Sequence, residues 1–290
     1  MKIQYEILNW YVQHFSFPFK GWKYMRQFLK KLNLLDQFYT KKIFTGAKLI
    51  VNPSDHIQYQ IFWYGYYEKE AVCTWHSFVE NDSIILDVGA NFGLYSIVAG
   101  NKLTTGKVYA FEPVPDLVQQ FKRNIQLNEL TNIEIVPSAV SDISGSFQFY
   151  LSGKDNLGMS GFHPPDNFSG TQKIVDSVIL DEWAEDNQIA KLNLVKIDVE
   201  GAEINVLKGM KNLIKKFKPV IFIEISSVNL EKYGYTINDV YKLLIAMDYN
   251  PFEILFSNHL KKLSSFKEAD TIIFLPGDFQ SPPGININEN

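Results

Sequence analysis

The 290-residue sequence contains a single cysteine, Cys73. One thiol can neither close an internal disulfide nor assemble a thiolate metal site, which excludes a disulfide framework and structural zinc and makes a reducing, cytoplasmic setting the expectation. Basic excess is also lacking: 28 Lys and Arg stand against 32 Asp and Glu. Nucleic-acid binding depends on a basic surface, so no nucleic-acid partner is predicted. Long apolar runs are missing too. The charge-free stretches 88–101 and 7–19 fall short of the roughly 18 apolar residues that suggest a membrane-spanning helix. The N-terminus carries Glu6 and Trp10 where a secretory signal has a basic end and an apolar centre, and it reads as mature sequence. Aromatics are plentiful, with 22 Phe, 15 Tyr and 5 Trp available for packing or for stacking on a ligand.

The pattern changes near residue 80. Residues 1–80 read as a helical and aromatic extension, 81–279 as one ligand-binding domain and 280–290 as a flexible tail. Within 21–38, Trp22, Met25, Phe28, Leu29, Leu32 and Leu35 recur at helical spacing, with Lys23, Arg26, Lys30 and Lys31 on other faces. Such a basic amphipathic helix suits packing on the main domain or peripheral contact with a membrane surface. From residue 84, strands at 84–88, 107–112 and 133–136 alternate with helices at 94–102 and 115–128. A hairpin strand at 146–151 follows, then strands at 194–199, 219–225, 249–254 and 271–275 with helices at 203–216 and 238–247. This rhythm predicts an α/β, Rossmann-like fold: a seven-stranded, mostly parallel sheet with helices on both faces and ligand-binding loops at the carboxyl ends of its strands.

The chemistry is concentrated at two such strand ends. In IILDVGANFG the first strand runs into Asp87, Gly89, Asn91 and Gly93 before a helix begins. Glycines let the backbone approach a ligand, but the G-x-G-x-x-G spacing of a pyrophosphate turn is absent. A carboxylate here repels a diphosphate and suits a cationic, phosphate-free nucleoside such as S-adenosylmethionine, which disfavours a nicotinamide dehydrogenase. Glu112 ends the second strand, where a carboxylate can accept ribose hydroxyl protons. After the third strand, Ser138, Ala139 and Val140 offer small side chains and backbone groups for an adenine slot. The fourth strand reads LVKIDVEGAE and ends in Asp198 and Glu200.

Together DVGANFG, YAFEPVPD, the stretch Ala139-Val140-Ser141-Asp142, LDEW and KIDVEGAE resemble the FkbM-type methyltransferases in order and spacing, over roughly residues 65–225. Phe92 stands where a smaller aliphatic residue is frequent. The resemblance implies a class I methyltransferase domain that moves a methyl group from S-adenosylmethionine to an acceptor oxygen, commonly on a sugar, polyketide or other metabolite. It also implies that Asp87, Gly89, Asn91 and Gly93 hold the methionine end, Glu112 the ribose, and Ser138, Ala139 and Val140 the adenine. Asp198 and Glu200 would face the reaction centre. Gly65, Tyr66, Tyr67 and Glu68 match residues that precede the fold in this family, and Glu68 becomes a ligand partner if the N-terminal helices cover the pocket.

Methyl transfer is an in-line displacement, helped most by alignment and exclusion of water, and an alcohol needs a group to take its proton. Asp198 is the first candidate, either as the base or holding a divalent ion with Glu224; a metal is an alternative, not a prediction. His163 is a further candidate base, in a Gly-, Ser- and Pro-rich loop over 152–172 long enough to cover the site. The expected partner is a small-molecule or glycan acceptor. The competing reading is a donor-binding, non-catalytic scaffold held at a membrane surface through residues 21–38.

Overall fold

A computed structural model describes residues 6, 7, 10, 27, 29–32, 34–153, 157–164, 168 and 170–288. The first described strands, β1 (Tyr39–Lys42) and β2 (Lys48–Val51), form an antiparallel hairpin. Helices α1 (His56–Tyr64) and α2 (Lys69–Phe78) follow. Asp55 starts α1 by accepting the amides of Ile57 and Gln58, and Gly65 ends it in a left-handed conformation. The extension, expected to be helical and aromatic, therefore also contains a hairpin. Of the predicted helix at 21–38, residues 21–26, 28 and 33 lie outside the described residues, and residues 34–38 are not helical; of its apolar face, Leu29 is buried in the core and Leu32 and Leu35 pack against it.

The main domain then alternates as the sequence predicts: β3 (Ile84–Val88), α3 (Leu94–Gly100), β4 (Lys107–Phe111), α4 (Pro115–Leu127) and β5 (Ile133–Val136). A small sheet comes next, made of β6 (Ala139–Val140), β7 (Gly145–Leu151) and β8 (Thr171–Val178) in the order β6-β8-β7. The chain returns through α5 (Leu180–Asp186), β9 (Leu194–Ile197), α6 (Glu203–Gly209), α7 (Lys211–Phe217) and β10 (Val220–Ile225). It finishes with α8 (Ser227–Glu231), α9 (Ile237–Ile245), β11 (Tyr249–Phe256), β12 (His259–Lys262), β13 (Ala269–Pro276) and β14 (Asn286–Asn288).

All seven predicted strands lie in one sheet, but that sheet has nine strands, in the order β14-β12-β11-β13-β10-β9-β3-β4-β5. The additions are β12 and β14, which pair in parallel at one edge. Residues 280–288 are thus not a loose tail: Ile285 is buried and Asn286–Asn288 extends the sheet. The pattern hid this strand because its three residues bury nothing fully and gain only ladder hydrogen bonds.

The sheet core is buried on both faces, and alternate residues of each strand enter different apolar clusters. Ile85, Leu194 and Phe222 face the side covered by the N-terminal hairpin and helices, with α3 and α4. Leu86, Val195 and Ile221 face α5, α6, α7 and α9. Buried apolar residues of the extension, among them Leu29, Leu49, Phe62, Trp75 and Val79, belong to the first cluster, so the extension shares the core of the main domain. Its hairpin is fastened by one stripe of α4 at four-residue spacing: the Gln120 amide donates to Ile50 O, Asn124 accepts from Ile50 N, and Asn128 accepts from Lys48 N.

Candidate active site

One cavity opens at the carboxyl ends of β3, β4, β9 and β10. Asp87, Gly89, Asn91, Glu112, Ser138, Ala139, Val140, Asp198 and Glu200, all named from the sequence, line it. Glu68 joins them from the turn before α2. Two candidates lie elsewhere. Gly93 does not line the cavity; its left-handed backbone starts α3, and a Cβ there would sit 2.2 Å from the Phe121 ring. The glycine is therefore required for close helix packing. His163 is exposed and sets its ring edge-on against Tyr233, 4.4 Å between centroids, while its neighbour Phe162 lines the cavity. Of the loop expected to cover the site, Gly158, Ser160 and Phe162 reach the wall; residues 154–156, 165–167 and 169 lie outside the described residues.

The walls hold strained backbone. Glu68, Asn91 and Glu200 all have left-handed φ values, 44°, 54° and 55°, which non-glycine residues adopt only when surrounding contacts enforce them. At Asn91 the enforcing contact is Glu112, which accepts the amides of Asn91 and Val114, each at 2.8 Å. Those bonds aim the carboxylate while burial pushes it up to about 7. Gly89 permits the opposite approach: a Cβ would fall 1.8 Å from the carbonyl oxygen of Asp198, so the β3 and β9 loops touch through bare backbone.

Charge is the dominant feature. Glu68, Asp87, Glu112, Asp198, Glu200 and Glu224 surround the cavity, and Lys196 is the cation among its described lining residues. Lys196 lies in β9, an otherwise apolar strand, with Nζ 2.6 Å from Asp198 Oδ2 and 4.5 Å from the centroid of Tyr95. Burial opposes its charge, but Asp198, Glu68 and Asp87 outweigh that and hold the ammonium above its ordinary value. Burial likewise works against the Asp198 carboxylate, yet Lys196 and a hydrogen bond from Glu224 keep it below the ordinary range. Glu224 moves the other way, raised by burial and by the charge of Asp198, so this pair holds one proton on Glu224. Asp87 is buried, raised by that burial, and accepts from Ser96 Oγ at 2.6 Å. Tyr95 donates its hydroxyl to Glu68 at 2.6 Å.

Glu200 differs from Asp198. Burial, then the charges of Asp198 and Glu203, push it up to about 8, while Asn229 donates to its Oε2 at 2.7 Å. Asp198, Glu200 and Glu224 bring carboxylate oxygens within 4.8 Å of one another, an all-oxygen set of the kind that hard divalent cations take. Lys196 already supplies positive charge to that set. The sequence reading missed Lys196, Tyr95 and Phe162. For Lys196 a signal existed: a lysine inside a doubly buried strand requires a charged partner.

A family model described as Methyltransferase FkbM domain matches residues 87–251, more than half of the chain. The chain belongs to the FkbM methyltransferase family. It is 32% identical over 172 residues to the hexuronic acid methyltransferase AglP of Haloferax volcanii, covering 57% of this chain and 62% of that protein. It is 26% identical over 162 residues to the 2-O-methyltransferase NoeI of Sinorhizobium fredii, covering 51% and 65%. The chain thus spans under two thirds of the length of these curated relatives. The solved FkbM methyltransferase of Methylobacillus flagellatus KT is 18% identical, with a TM-score of 0.42 over 67% of this chain and 44% of that one; at that score it adds no weight. The matched span begins at Asp87, so Glu68 and Tyr67 lie outside it, although both line the cavity.

Proposed function

We propose that this chain transfers a methyl group from S-adenosylmethionine to a hydroxyl oxygen of a small molecule, with a saccharide or glycoconjugate as the favoured acceptor. The observation that carries this reading is the lining of the cavity, six carboxyl groups over a glycine-lined turn with Lys196, the cation among its described lining residues, already paired to Asp198. A ligand bearing an ammonium and a sulfonium favours the ionised form of such carboxyls, whereas a phosphate-bearing dinucleotide meets no free cation among them. Family membership supports methyl transfer, and the printed names of two relatives support a sugar acceptor.

When bound, S-adenosylmethionine supplies a methyl group on positively charged sulfur, activated for displacement. The residues of the chain do the rest. Glu112, aimed by two amides, has lone pairs left for the ribose hydroxyls. Asp87 and Glu68 set negative charge at the cationic amino-acid end, and Ser138, Ala139 and Val140 border the base. Asp198, engaged by Lys196 and Glu224, orients the centre. Glu200 takes the acceptor proton, because a carboxyl pushed up to about 8 is a far stronger base than the depressed Asp198. Phe162 and Tyr67 limit the entry of water.

The test is calorimetric titration of the chain with S-adenosylhomocysteine and, separately, NAD. Uptake of the sulfur nucleoside alone is expected; uptake of NAD alone would overturn the reading.

A further inference from the structure

We propose that a second hollow, next to the donor cavity, holds the body of the acceptor as an uncharged pyranose ring, with Asn205 and Asp142 recognising its hydroxyls. This rests on the methyl-transfer reading above and names the acceptor part of the same site. The two cavities share Phe162 and Ala202, so they meet where the chain leaves Glu200. A ring in the hollow can therefore direct a hydroxyl toward Glu200 and the donor.

The lining has the two features that carbohydrate recognition needs, apolar flat faces and fixed polar groups. Phe147, Phe162 and Tyr233 supply the faces. The Phe147 and Phe162 rings meet edge to face at 6.0 Å and 86°, which holds them at an angle to one another. The polar groups are prearranged: Ser141 Oγ and Asn205 Nδ2 both donate to Asp142 Oδ1, at 3.1 and 2.8 Å. The Asn205 carboxamide is thereby fixed, yet its Oδ1 is buried without a hydrogen-bond partner. A buried acceptor left unpaired is costly, and a ligand hydroxyl is the donor that would satisfy it.

Charge selects among sugars. Asp142 is the carboxylate that lines the hollow. No lysine is among the described residues lining the hollow; Lys208, whose charge reaches Asp142, is exposed and donates to the Tyr235 hydroxyl outside that lining. A sugar carboxylate would enter against like charge, whereas a neutral ring would not.

The experiment uses the full chain saturated with S-adenosylhomocysteine, after calorimetry has shown uptake. Failure at that first step refutes the methyl-transfer reading itself. Saturation-transfer NMR then follows methyl glucoside, galactoside, mannoside and glucuronoside. We expect at least one neutral glycoside to bind, the glucuronoside to bind more weakly, and Asn205→Leu and Phe147→Ala each to weaken the neutral ligand at least tenfold with donor affinity retained. Phe147 is only half-buried, so its variant keeps the test open if the Asn205 change impairs folding. A donor-loaded chain that binds none of the four, binds the glucuronoside best, or binds a neutral glycoside equally in both variants would overturn the proposal.

Discussion

Lys196 Nζ lies 2.6 Å from Asp198 Oδ2, two residues further along at the same strand exit, and this pair sets the electrostatics of the cavity. The lysine side chain is 7% exposed, so its charge is barely screened, while Asp198 is more open. Lys196→Met leaves a carboxylate without its counter-charge among five others. Expected are a loss of roughly 3 kcal/mol in urea unfolding and a large fall in turnover. An unchanged midpoint would show that other groups neutralise Asp198.

Glu200 and Asp198 are distinguished by pH. If Glu200, pushed up to about 8, accepts the proton, kcat/KM of the enzyme rises with pH and levels off above that value. Glu200→Gln should remove the limb and lower kcat by roughly 10²–10⁴-fold, the usual span for a lost general base. Retention of the limb in that variant, with its loss in Asp198→Asn, would reverse the assignment.

Stability has its own pH dependence in the unliganded chain. Glu112 and Glu203 are pushed up to about 7 and Glu200 to about 8, in each case chiefly by burial. Raised folded values mean that, above the ordinary carboxyl range near 4.5, the folded chain holds protons the unfolded chain has released. Their contribution is full below about 4.5 and is lost as pH rises to about 8. Urea midpoints measured across this window should decline, and Glu200→Gln should flatten the decline at its upper end.

Gly93→Ala tests packing separately from donor contact. Its Cβ would meet the Phe121 ring at 2.2 Å on a backbone with φ of 92°, which together should cost roughly 2–4 kcal/mol. The companion Phe121→Leu should relieve part of that cost. Equal destabilisation with and without the companion would place the strain in the backbone alone.

Asn124 joins the N-terminal hairpin to the turn after β3, accepting from Ile50 N at 2.7 Å and donating to Phe92 O at 2.9 Å. Asn124→Leu strands both backbone groups, a loss of roughly 2–4 kcal/mol at the usual cost of an unsatisfied buried group. Hydrogen exchange at Ile50 should quicken; if it does not, the hairpin is held by its apolar contacts instead.

Much of the fold was legible because its signals are local. Strands buried on both faces show as short apolar runs, and the turn from Asp87 to Gly93 announces itself within seven consecutive residues. Strands β12 and β14 escaped because, at the margin of the sheet, they are short and bury few residues. The hairpin β1–β2 escaped because the polar stripe of α4 that fastens it is far away in the chain. Gly93 was seen but its packing on Phe121 was not, since nothing nearby in sequence points to that ring.

Local spacing was enough to place the carboxylates Asp87, Glu112, Asp198 and Glu200 at strand ends, since a parallel sheet sends every such end to one edge. Folding alone decided how they differ. Lys196 and Glu224 hold Asp198 ionised, whereas Glu200, two residues further on, keeps its proton up to about 8. The physical reason is that burial and Coulomb interaction depend on distances across the cavity, and chain spacing carries no record of those distances.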